Sequence, residues 1–262
     1  PAVRTSAPPF AGLGPERQSE PMMRRVLPAL GGVLLSCGLQ AQVAVCGTPG
    51  IDGPVNVAST INTYYPASGT IVLSAASTSL ALGAVPPTDP FGNSFGTTPI
   101  SAGDLLLIYQ VQAADIDIAN SNLYGSGTAT AGPDGQGGTG YTTINNTGRY
   151  EFLVATNDVP LTGGTLTFRG GGGGNGCVYS YSNRDGTALL TQKRFQVVRV
   201  PQFSNLTLTS DLVCPPWNGY AGGIVAFDVA GDFAFGGHTI SANGRGFRAG
   251  YQEIAGSGAN VQ

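Results

Sequence analysis

Between Gly222 and Gly250 the chain reads GGIVAFDVAGDFAFGGHTISANGRGFRAG. Its apolar alternations, Ile224–Val229, Phe233–Phe235 and Thr239–Ala242, are a few residues each and are cut by Gly pairs or Asn-Gly. None holds a 3.6-residue period for the roughly ten residues that a helix requires; short alternation bounded by Gly and Asn marks strands and tight turns. The same rhythm runs upstream through Val55–Val57, Thr60–Tyr65, Thr70–Ser74, Ser79–Gly83, Tyr150–Thr156, Thr165–Phe168, Phe195–Val200 and Leu206–Thr209. Leu105–Val111 follows a Gly103-Asp104 turn and is mostly apolar, so the sequence predicts a strand buried on both faces. No amphipathic segment of helix length separates these strands. That excludes an ordinary βαβ arrangement and leaves an all-β fold, either a β-sandwich or a β-solenoid.

Composition narrows the setting. The chain has 41 glycines and 18 prolines in 262 residues, below the roughly 25–30% that marks a low-complexity chain. Charged residues are 10%, against about 25% in an ordinary domain. Thr, Ser, Asn and Gly take the polar positions, as suits strands and turns of a protein outside the cell. The net charge is −3 with no basic face, so nucleic acid is not expected as a partner.

Arg24 and Arg25 precede an apolar run, Val26–Leu35, and small residues follow at Ala41 and Ala44. This is the layout of a secretory signal peptide, expected over 23–41 with cleavage after Ala41. The run is too short to span a bilayer, which takes about 20 residues, and no transmembrane helix is expected in the mature chain. Residues 1–22, Pro-rich and aperiodic, are expected to lie upstream of the native start. Residues 42–262 then form the all-β surface domain, secreted or held at the cell surface. A lipid anchor on Cys37, in Leu34-Leu35-Ser36-Cys37, is the alternative to cleavage at Ala41.

Cys46, Cys177 and Cys214 survive cleavage. An oxidising compartment favours one disulfide, and Cys177–Cys214 is the expected pair because both flank the same predicted sheet region. No C-x2-C spacing is present, so zinc is not expected. Gly170–Gly174 must be either a mobile loop or a place where backbones approach closely; no Gly-Lys-Ser/Thr follows it, so it is not a phosphate-binding loop.

Asp115, Asp117, Asn120 and Asn122 lie in a polar segment and could give oxygen ligands to Ca²⁺, which takes six to eight; the competing reading is a turn whose Asp and Asn side chains bond their own backbone. For glycosidase or lyase chemistry the carboxylate pairs to consider are Asp115 with Asp117, Asp228 with Asp232, and Asp104 with Glu151. His238, the one histidine, follows Gly236-Gly237 in a turn and reads as a surface residue. Trp217 and Asn218, in Pro215-Pro216-Trp217-Asn218-Gly219, are the candidate ligand-binding residues, the indole either stacking on a sugar ring or capping a core beneath a rigid loop.

In order along the chain, GDLLLIYQVQAADID, NTGRYEFLVA, KRFQVVRVPQFSNLTL, PPWNGYAGGIVAFDVAG and GRGFRAG resemble the N-terminal region of large, exported, Gly-rich bacterial surface proteins. The resemblance covers most of Cys46–Gly250. It implies the start of a right-handed parallel β-helix of the pectin-lyase type in the C-terminal half, possibly preceded by a β-sandwich-like part; a single β-sandwich is the alternative. It carries no settled activity. The chain departs from the pattern at Arg248-Ala249-Gly250, where a second Gly is expected, and reads as a fragment of a longer protein. The function expected is a structural or adhesive surface module without catalysis, its partners a cell-surface glycan or further domains of the same longer chain. The alternatives are a polysaccharide lyase or glycoside hydrolase on a β-helix, and a carbohydrate-binding module.

Overall fold

The structure, a computed structural model, describes residues 46–116, 142–187 and 191–247. Strands follow one another with no α-helix among the described residues. In chain order they are β1 Val55–Val57, β2 Thr63–Pro66, β3 Ile71–Leu73, β4 Ser79–Leu82, β5 Leu105–Gln112, β6 Asp115–Ile116 and β7 Thr142–Thr143. Then come β8 Tyr150–Ala155, β9 Gly164–Arg169, β10 Tyr181–Asn183, β11 Arg194–Val200, β12 Gln202–Phe203, β13 Leu206–Leu208, β14 Leu212–Val213, β15 Asp228–Val229, β16 Phe233–Ala234 and β17 Ile240–Ser241. Among these residues no helix is long and apolar enough to cross a membrane.

The central sheet runs β2-β11-β5-β8-β9-β4, all antiparallel, and it curls. Its longest strand, β5, begins at the Gly103-Asp104 turn expected from the sequence. Gly103 has φ +98°, a region that disfavours any side chain, and Asp104 Oδ2 accepts the Ser101 N–H at 2.7 Å. Side chains alternate across the sheet. Leu106, Ile108, Val197 and Tyr65 enter the larger core with Leu153 and Phe168. Their neighbours Leu107, Val198 and Tyr64 enter a second core with Phe95 and Cys214 on the other face. β11 is buried along its whole length because both faces are covered.

That alternation rules out the expected disulfide. Cys177 belongs to the larger core and Cys214 to the second, so the sheet lies between them; both are free thiols. Cys177 Sγ instead donates to the Ser74 carbonyl at 3.2 Å.

The run of glycines is a close approach of backbones. Gly170 N–H donates to the Asn175 carbonyl and Gly172 N–H to the Gly176 carbonyl, each at 2.7 Å. A Cβ on Gly172 would collide with the Cys177 backbone oxygen, and one on Gly176 with the Ala76 backbone. Glycine is the residue that permits such contact.

Beyond β11 the pairing changes direction. β13 lies parallel between β1 and β16, β12 parallel to β15, and β14 parallel to β17. Val57, Phe203, Leu206, Leu208 and Leu212 form a third core inside. The sheets of the molecule are nonetheless mostly antiparallel, and parallel pairing is confined to ladders of two or three residues. Expected as one strand, Ile224–Val229 is reduced to β15, and the cause is a polar clamp. The buried Asn62 side chain accepts the Ala226 N–H at 3.1 Å and donates to the Ala226 carbonyl, which occupies backbone groups that a strand would use.

A buried ion cluster joins this region to the sheet. Arg199 Nε meets Asp104 Oδ2 at 2.8 Å, and Arg199 Nη2 meets Asp52 Oδ1 at 2.6 Å. The other Asp52 oxygen accepts the Gln202 N–H at 2.7 Å.

Candidate functional site

The second core covers only part of the outer face of the sheet. Where the cover ends, cross-strand pairing sets Leu107 opposite Phe152 and Tyr109 opposite Tyr150, with Tyr150 and Phe152 exposed. The segment 215–224 stands over them as a wall, and a cleft of about 300 Å³ opens between. Leu107, Tyr109, Val111, Tyr150 and Phe152 form its floor; Trp217, Ile224 and Phe247 line the wall with Gly222, Gly223 and Gly246. None of these residues carries a charge.

The wall is held from beneath. Gln196, fully buried on β11, donates from Nε2 to the Gly222 carbonyl and accepts the Gly222 N–H at Oε1, both at 2.8 Å. Gly222 has φ +104°, and a Cβ there would press against the Pro215 and Pro216 carbonyls. The Trp217 N–H donates to the Arg245 carbonyl at 2.7 Å, and Arg245 Nη1 donates to Asn93 Oδ1 at 2.9 Å. The Arg194 guanidinium sits 4.7 Å over the Tyr220 ring. The cleft is therefore preformed, a property that lowers the cost of binding.

Trp217 is only 8% exposed. Its indole both packs beneath the wall and lines the cleft, and its N–H has no hydrogen-bond partner among the described residues. A buried indole N–H ordinarily finds one. The Tyr109 and Tyr150 hydroxyls are likewise without a partner there. Asn218, the other expected ligand-binding residue, sits in the turn beside Trp217. Its Oδ1 accepts the Tyr220 and Ala221 N–H groups, each at 2.9 Å, and so caps the turn that presents Trp217.

The other sequence candidates that the structure describes are not in the lining of the cleft. Asp115 faces cations: Oδ1 meets Arg184 at 2.9 Å and Oδ2 meets Lys193 at 2.8 Å. Thr191 Oγ1 and Asn145 Nδ2 also donate to it. Burial pushes the Asp115 carboxyl up, but these hydrogen bonds and the Lys193 charge outweigh it and hold the group below the ordinary carboxylate range. Asp117, Asn120 and Asn122 lie outside the described residues, and no metal-ligating cluster occurs among the described ones.

Of the nominated carboxylate pairs, Asp115 with Asp117 reaches outside the described residues, and Asp104 with Glu151 does not converge. Asp104 is taken by Arg199. Glu151 is buried on β8 and accepts the Val178 and Tyr179 N–H groups and the Tyr181 hydroxyl at 2.8 to 3.0 Å. Register sets Glu151 opposite Ile108, so Asp104 lies about 13 Å away along the strand, beyond the roughly 6.5–9.5 Å of an inverting pair. Asp228 accepts from Gln202 Nε2 at 3.1 Å, while Asp232 is exposed. His238 sits in an open turn, Nδ1 3.8 Å from Asp211.

The rigid Pro-Pro-Trp-Asn-Gly setting pointed to Trp217, and the structure places it in the lining of the cleft. Tyr109, Tyr150, Phe152 and Gln196 were not legible as site residues, although alternation within LLLIYQVQ and YEFLVA carried a signal for the first three. Leu105–Val111 reads as a strand buried on both faces, whereas Tyr109 is half-buried and lines the cleft.

Comparison with family models, with curated proteins and with solved structures finds no match to this chain.

Proposed function

We propose that this chain is an exported surface module that works by adhesion and support, without catalysis, and that the aromatic cleft is its adhesive site. One observation carries the reading: a preformed cleft with aromatic rings on floor and wall and, among the described residues, unpartnered indole and phenol donors and no charged side chain in the lining. A pyranose ring has apolar C–H faces edged by hydroxyl oxygens. Its faces suit Tyr150 and Phe152, and its oxygens suit the Trp217 indole N–H and the tyrosine hydroxyls. The glycan of a cell surface is the ligand of this chemistry that a protein led by a signal peptide over 23–41 would meet.

The support comes from the C-terminal ladders, which we read as the opening coils of a right-handed parallel β-helix. Successive parallel partners recur at nearly constant spacing. Gln202 reaches Asp228 across 26 residues, Asn205 reaches Asp232 across 27, and Asp211 reaches Thr239 across 28. Stacked coils of this kind bury one another's apolar faces and make a stiff, extendable body.

The test is a glycan array probed with residues 42–262, alongside a polysaccharide-depolymerisation assay. The expected result is binding to a subset of glycans, weakened about three- to tenfold by Tyr150→Ala, the loss that one aromatic contact supplies, and abolished by Trp217→Ala, with no depolymerisation. Unchanged binding in both variants would remove the cleft from the proposal. Depolymerisation lost on an Asp→Asn substitution would replace it with an enzyme.

A further inference from the structure

Most hydrogen-bonding groups around the aromatic cleft are engaged within the protein. The backbone of the floor is taken up by the ladders that join β5 to β8 and to β11. In the wall, Gln196 holds both the N–H and the carbonyl of Gly222 at 2.8 Å. The Gly223 N–H donates to the Pro215 carbonyl at 2.8 Å, and the Ile224 carbonyl accepts the Tyr64 hydroxyl. The guanidiniums nearest the wall are engaged as well, Arg245 with Asn93 at 2.9 Å and Arg194 with Asp185. Among the described residues this leaves the lining with the Trp217 indole N–H and the Tyr109 and Tyr150 hydroxyls. Its other side chains are hydrocarbon: Leu107, Val111, Phe152, Ile224 and Phe247.

Donors set in hydrocarbon discriminate between sugars. A ring hydroxyl donates as well as accepts, and leaving its donor unpaired out of water is costly. Carboxylate and carboxamide side chains would accept from such hydroxyls, but among the described residues the lining presents neither. The indole only donates, so the phenol oxygens of Tyr109 and Tyr150 are the side-chain acceptors there. A sugar carboxylate fares worse, because no described cation lines the cleft to pair with it. An acetyl group matches both parts of the lining. Its carbonyl only accepts, which suits an indole or phenol donor. Its methyl needs only hydrocarbon, which Leu107, Val111 and Ile224 supply.

We infer that the cleft recognises the acetyl group of a neutral glycan, carried as an acetamido substituent or as an O-acetyl ester, with the sugar ring against Tyr150 and Phe152. This rests on the glycan reading above and gives it a substrate class. The cleft, about 300 Å³, is at the small end of ligand pockets, which suits a single substituted ring.

Trp217 is the one tryptophan of the chain, so its fluorescence reports occupancy of the cleft. The full chain is titrated with chitotriose and with cellotriose, which has hydroxyls in place of the acetamido groups. It is also titrated with O-acetylated xylotriose before and after mild alkali, which removes the ester. In at least one pair the acetylated sugar is expected to bind about ten- to thirtyfold more tightly, the loss of one buried methyl and one hydrogen bond. The pair that shows the difference identifies whether the acetyl is an amide or an ester. Equal affinity within both pairs would overturn the inference and leave the glycan reading standing. So would trigalacturonate binding as tightly as the acetylated sugar, and so would silence with all of these probes while other sugars bind on a glycan array. Silence on the array as well would remove the glycan reading itself, and the inference with it.

Discussion

At the scale of the residue, the chain uses polar side chains as fasteners, and Cys177 and Cys214 as buried apolar ones. Among the described residues no cation pairs with Glu151, and three donors satisfy it, so its carboxylate holds the 178–181 segment against the back of β8. Cys177 sits beside it. Burial pushes the Cys177 thiol up, and the Glu151 charge pushes the same way; burial also raises Cys214. Thiolate is the reactive form. Cys46 is exposed. A thiol-specific reagent is therefore expected to label Cys46 rapidly in the native protein and to reach Cys177 and Cys214 only on unfolding. Peptide mass mapping before and after denaturant reads this directly, and a Cys177–Cys214 linked peptide from non-reduced protein would contradict it.

At the scale of the element, the cleft depends on one strand gripping one loop. β11 is buried on both faces, and Gln196 is where it reaches out to segment 215–224. Gln196→Ala would leave the Gly222 N–H and carbonyl buried and unpaired, at a cost of about 1–3 kcal/mol for an unsatisfied group. The wall would loosen with it. The expected outcome is a lower urea midpoint with an unchanged slope, and weaker glycan binding although no side chain of the lining has been altered. Wild-type stability in this variant would show that the wall stands without the clamp.

At the scale of the whole molecule, separate parts of the chain are tied by ion pairs whose strength depends on pH. Asp115 joins β6 to Arg184 and Lys193. Its carboxyl titrates below the ordinary range in the folded protein, so its contribution to stability is complete above the unfolded titration point. It is lost as pH falls through the folded one. Stability should decline from about pH 4 downward. Asp115→Asn should be less stable than wild type at pH 7 and should lose less on acidification. Urea melts at neutral and acid pH compare the two, and parallel curves would exclude Asp115 as a source of the acid sensitivity.

How much of this was legible depends on how far each feature reaches along the chain. The all-β character, the β5 turn at Gly103-Asp104 and most strand positions follow from neighbours in sequence, because alternation and turn chemistry are local; at the glycine run the sequence left a mobile loop and a close approach both open, and packing on Ala76 decided between them. Strand order, the face each residue takes and the cleft were fixed by pairing between segments far apart. Tyr109 meets Tyr150, and Gln196 meets Gly222, only once register is set. The sequence showed two cysteines flanking one sheet region; the path of the connections then packed Cys177 and Cys214 into separate cores, because each lies outside the strands and takes the face that its own segment covers.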